Sequence, residues 1–110
     1  MNKQQVIDVI NKEFKGKAYD FGCFYLTKDG RKCAIGMFIP DGHPGQRDQC
    51  GVGYLLDKHS DLKSFMPSDD EELLRQFQRA HDCLLSVADP IDQQRQTLIN
   101  WVHKNWSLTE

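Results

Sequence analysis

Four cysteines and four histidines are the side chains of this sequence best suited to nucleophilic attack, proton transfer at neutral pH or metal ligation. Nine residues separate Cys23 from Cys33, nine separate Cys33 from His43, and six separate His43 from Cys50. None of these is a tight CxxC or HxxxH pair of the kind that structural zinc sites use. A metal would have to recruit Cys50, His43, His59 or His81 across the fold, so neither a metal nor a cofactor is assigned. Cys50 has the best setting for a reactive thiol. It stands in DQCGVG ahead of a helix start, where the dipole lowers a thiol pKa and His43 or His59 can approach. Cys33 is flanked by Arg31 and Lys32 but is expected to face the core.

His81 lies on the apolar stripe of a helix beside Asp82. Neighbouring helical residues point about 100° apart, so Asp82 is poorly placed to orient it. The residue reads first as a half-buried histidine bonded to backbone or to a carboxylate, and second as a general base. If the chain is an enzyme, Cys50, His43 and His81 are its candidates. No cysteine-hydrolase signature surrounds them, and no catalytic residue is assigned.

Residues 30–53 must position most of these groups. They hold six of the eight glycines, the Pro40-Asp41-Gly42 break, His43 and two cysteines. Such density forces a specific backbone path, and a long irregular loop is often functional. The segment lacks both phosphate-binding glycine strings, G-x-x-x-x-G-K-[ST] and G-x-G-x-x-G. Ahead of it, residues 3–15 read as an amphipathic helix, with Val6, Ile7, Ile10 and Phe14 on one face and an Asn2/Gln5 capping box. Asp29-Gly30 then predicts a β-hairpin from strands at 22–28 and 31–39. Its register sets Leu26 opposite Cys33, and Phe24, Leu26, Cys33, Ile35 and Met37 on one apolar face. Cys23 falls on the other face, and Gly36 permits close backbone approach opposite it.

Behind the loop, residues 52–59 form a short helix anchored by Tyr54, Leu55 and Leu56. Ser68 and Glu71 cap a longer helix whose inner face carries Leu74, Phe77, His81, Leu84, Leu85 and Ala88. Asp89 caps a final helix over 90–105, with Ile91, Leu98, Ile99, Val102 and Trp106 inward. The expected architecture is a single α+β domain over residues 1–110: a helix, an antiparallel hairpin, a glycine-rich loop, and C-terminal helices packed on the hairpin.

The net charge of -2 gives no bulk attraction toward nucleic acid or anionic membrane. The charges are uneven, with residues 1–55 at +2 and residues 56–110 at -4. Basic residues near Tyr19, Phe21 and Tyr25 offer a nucleic-acid-binding module as a further alternative, without the basic excess that would favour it. The first residues lack the continuous apolar run of a signal peptide, and no segment reaches transmembrane length. A cytoplasmic protein with reduced cysteines is expected.

The strings GRKCAIGMFIPDG, GVGYLL and QFQRAHD resemble a group of small hypothetical proteins of bacteriophage and bacterial genomes. In these a Gly-Arg-(Arg/Lys)-Cys-Ala-(Val/Ile)-Gly strand runs into Ile-Pro-Asp, and Gln-x-x-His-Asp lies in a later helix. Here the positions are Gly30 to Gly36, Ile39 to Asp41, Gln78, His81 and Asp82. The resemblance carries no catalytic assignment. It implies a phage, prophage or mobile-element setting, where small proteins often work by binding and blocking another protein. The expected function is therefore protein–protein interaction, as an inhibitor, immunity protein or accessory factor. Its contact surface is expected on the loop, at His43, Gln46, Arg47, Asp48 and Cys50. The alternative is a small thiol- or histidine-dependent enzyme with its site on the same loop.

Overall fold

The computed structural model describes residues 1–18, 25–48 and 51–106. Helix α1 (Lys3–Glu13) starts from the expected capping box: Asn2 accepts the Gln5 amide, and the Gln5 side chain accepts the Asn2 amide, both at 2.9 Å. Val6, Ile7 and Ile10 are buried on one face, and Phe14, at the C-cap, is buried with them. The helix stops two residues short of the expected 15, because Phe14 is already extended.

The α+β expectation fails after residue 25. The described residues contain four α-helices and three 3-10 turns but no strand, so the antiparallel hairpin does not form. A single isolated antiparallel bridge joins Leu26 to Lys32, one residue out of the expected register. Cys23 and Phe24 lie outside the described residues. The Asp29-Gly30 turn itself survives, with Gly30 at φ +85°. Thr27 closes it, donating its amide to the Arg31 carbonyl (2.8 Å) while its hydroxyl accepts the Arg31 amide (3.0 Å). That hydroxyl also donates to Asp29, and with Arg31 it holds the Asp29 carboxyl down at about 2.

Past the bridge the chain coils instead of extending. The Met37 amide donates to the Cys33 carbonyl (3.1 Å), and Gly36–Phe38 is a 3-10 turn. Every residue from 33 to 39 is buried, so the one-in, one-out pattern of a half-exposed strand is lost. Gly36 does permit a close approach, against the Tyr25 carbonyl, which a Cβ at this position would strike.

A buried backbone without a sheet still needs hydrogen-bond partners. Side chains of the C-terminal helices supply many of them. The Ile35 amide donates to Gln78 Oε1 (3.1 Å), the Ala18 amide to His81 Nε2 (3.2 Å) and the Lys17 amide to Gln94 Oε1 (2.8 Å). The Phe14 carbonyl accepts from Arg95 (2.9 Å). These bonds do the work that a neighbouring strand would do. They explain how an apolar run with a sound hairpin turn avoids becoming one.

Helix α2 (Val52–Lys58) buries Val52, Leu55 and Leu56, whereas Tyr54, expected as an anchor, is 67% exposed. Helix α3 (Glu71–Leu84) is capped by Asp70 rather than Ser68. Asp70 accepts the Glu72 and Leu73 amides, and the Ser68 hydroxyl in turn accepts the Asp70 amide. Leu74, Phe77, Ala80 and His81 form its inner face, but Leu84 and Ala88 are exposed. Helix α4 (Ile91–Asn105) starts after Pro90 without a side-chain cap, and Ile91 is exposed. Helix α4 packs on α1 and α3, and α2 packs on α3. At the centre the Phe77 ring stacks on Trp101 and meets Phe38 and Trp106 edge-on. No helix among the described residues is long and apolar enough to cross a membrane.

Candidate functional site

The glycine-rich loop is held down by its own side chains. His43 caps the Pro44–Arg47 3-10 turn, its Nδ1 accepting the Gly45 amide at 2.9 Å. Its Nε2 lies 2.8 Å from Asp61 Oδ2. Gln46 is buried and accepts the Gly42 amide (3.0 Å). Asp48 takes His59 Nε2 at 2.8 Å and Lys58 Nζ at 3.2 Å. The two imidazole rings sit edge to face, 5.1 Å apart.

Both carboxylates in this cluster are held below their usual range. The hydrogen bond from His43 lowers Asp61. At Asp48, desolvation pushes upward, but the bonds from Lys58 and His59 outweigh it. Ionised carboxylates only accept, which fixes the proton of each imidazole on Nε2.

The loop residues expected to meet a partner are thus mostly engaged internally. His43, Gln46 and Asp48 each hold the turn together, and Cys50 lies outside the described residues. Arg47 alone stands exposed without a hydrogen bond or ion pair among the described residues.

His81 is fully buried, with both nitrogens engaged: Nε2 accepts the Ala18 amide and Nδ1 lies 2.8 Å from Asp82 Oδ1. Asp82 does orient it, contrary to the argument from helical spacing, since its carboxylate reaches hydrogen-bond distance of the ring. No lone pair of His81 is left to take a substrate proton. The expected half-buried histidine, bonded to backbone or to a carboxylate, is instead fully buried and bonded to both, and this geometry offers no general base there. Cys33 is inert as well, since burial pushes its thiol up to about 12.

The strings that carry the resemblance meet one another in the fold. Ile35 from the first bonds Gln78 from the last, and His81 and Asp82 extend the same network. These residues hold the fold together.

A second feature lies between α2 and α3. An open groove of about 500 Å³ is lined by Gly53, Tyr54, Arg75, Gln78, Arg79 and Cys83, among others. Arg75 is shared between Glu71 (3.0 Å) and Glu72 (3.5 Å). Arg79 is exposed and makes no hydrogen bond or ion pair among the described residues. Sequence reasoning missed this groove because Tyr54 had been placed in the core. It missed Asp61 too, although the His59-Ser60-Asp61 spacing and His43 were visible. Comparisons with protein-family models, curated proteins and solved structures give no match.

Proposed function

We propose that this protein acts by binding another protein, and that the α2–α3 groove receives an acidic, extended segment of that partner. The observation that carries the reading is the pairing of an exposed aromatic, Tyr54, with an exposed arginine that has no ion pair among the described residues, Arg79, along one groove. Tyrosine and arginine are, with tryptophan, the residues enriched at energetic centres of interfaces. An exposed guanidinium favours a carboxylate-bearing partner. The burial of Cys33, and of a His81 whose two nitrogens are both engaged, supports binding over catalysis. A role as inhibitor, immunity protein or phage accessory factor in the cytoplasm belongs to the same proposal.

The test is quantitative capture from one lysate by the wild-type chain and three exposed-surface variants, read by mass spectrometry. Tyr54→Ala and Arg79→Glu should each reduce retention of a specific acidic partner at least tenfold, while Arg47→Glu retains it. Loss with Arg47→Glu and full retention by the other two would move the contact surface to the loop and overturn the groove assignment.

A further inference from the structure

His43, His59 and Asp61 come from two stretches of chain: His43 caps the Pro44–Arg47 turn, and His59 and Asp61 lie at the junction where α2 ends and the Ser60–Phe65 3-10 turn begins. Their ligand-capable atoms lie within 4.8 Å of one another. Two imidazoles and a carboxylate are a donor set for zinc and other borderline divalent ions.

The tautomers sharpen this. His59 gives its Nε2 proton to Asp48, so its Nδ1 keeps an uncommitted lone pair and makes no hydrogen bond among the described residues. A carboxylate holding the far nitrogen of a ligating histidine is how metal sites fix ring orientation and basicity. His43 is arranged differently. Its Nδ1 accepts from Gly45, and its Nε2 proton points at Asp61.

We propose that His43, His59 and Asp61 bind one divalent transition-metal ion of the zinc class, with Asp48 holding His59 in the tautomer that offers Nδ1. The ion takes the place of the proton between His43 Nε2 and Asp61. That proton passes through solvent to Nδ1, so the ring stays neutral: the N–H bond at Nε2 breaks, one forms at Nδ1, and the metal gains a nitrogen and an oxygen ligand. Gly45 then loses its acceptor. Metal binding and the His43 cap exclude each other, so the ion releases the cap of the Pro44–Arg47 turn that presents Arg47. This inference is independent of the α2–α3 groove.

The experiment titrates the full chain, with any affinity tag removed, with zinc chloride alone in a non-coordinating buffer. Calorimetry gives stoichiometry and affinity, and amide NMR spectra report Gly45. One ion per chain is expected, with the Gly45 amide resonance moving on saturation. Asp48→Asn should weaken binding roughly 10–100-fold, the usual effect of removing such a support. Asp61→Asn, at a position whose side chain is 64% exposed and therefore safe for folding, should weaken it at least tenfold. His103→Gln, on the exposed face of α4, should change nothing. Absence of binding, affinity unaltered in both aspartate variants, or an unmoved Gly45 amide would each overturn the proposal.

Discussion

Two polar networks in this molecule are built from the same chemistry and end in opposite situations. In the interior, Gln78, His81 and Asp82 of α3 join with the Ala18 and Ile35 amides, and the histidine is fully buried. At the surface, His43 and His59 pair with Asp61 and Asp48 around a short turn, and Asp61 is largely exposed. Inside, Gln78 and His81 each accept a backbone N–H that has no strand to pair with, so the loss of either leaves that amide without an acceptor, while Asp82 holds both side chains in place. Outside, water can replace a lost partner, and one imidazole nitrogen remains available. Burial therefore separates a histidine that holds the fold from a histidine able to bind.

Ile35→Ala should break the interior most severely. Ile35 is fully buried in the coil that the network supports, and truncation of such a residue costs roughly 2–5 kcal/mol. His81→Ala ranks next, with roughly 1–3 kcal/mol expected from the orphaned Ala18 amide alone. His43→Ala removes a cap and an exposed pair at the surface and should cost roughly 1 kcal/mol or less. Urea denaturation midpoints order the three. A His43 variant as damaging as the His81 variant would erase the distinction between the networks.

The cysteines offer a smaller but sharper contrast. Cys33, buried and with its thiol pushed up to about 12, should resist alkylation until the protein unfolds. Cys83, exposed on α3 at the groove, should label in the native state. Mass spectrometry after a timed iodoacetamide pulse separates them. Native labelling of Cys33 at the rate of Cys83 would show that the 33–39 coil opens readily.

What the sequence made legible follows from how local each signal is. The α1 capping box, the Asp29-Gly30 turn and the positions of α2, α3 and α4 depend on residues a few places apart, and the structure contains all of them. The hairpin depended on a non-local choice. Residues 31–39 alternate well enough for a strand, but the Thr27 hydroxyl pulls the turn one residue out of register, and Gln78 takes the Ile35 amide from 43 positions away. No window of sequence displays that competition. The convergence of His43, His59 and Asp61 is of the same kind, since its spacing fits no ligand pattern and arises only when the turn folds back on α2. Tyr54 was misplaced because an aromatic beside two leucines reads as an anchor, while the helix turns it outward.

Side chains of α3 and α4, not a neighbouring strand, satisfy the backbone amides of Lys17, Ala18 and Ile35, and the rest of the account stands on this. Native-state hydrogen exchange followed residue by residue by NMR tests it directly. The Lys17, Ala18 and Ile35 amides should exchange only through global unfolding, and Gly45, capped at the surface by His43, should exchange much faster. Protection that alternates along residues 31–39, as in a paired strand, with Ala18 and Ile35 exchanging as fast as Gly45, would contradict it.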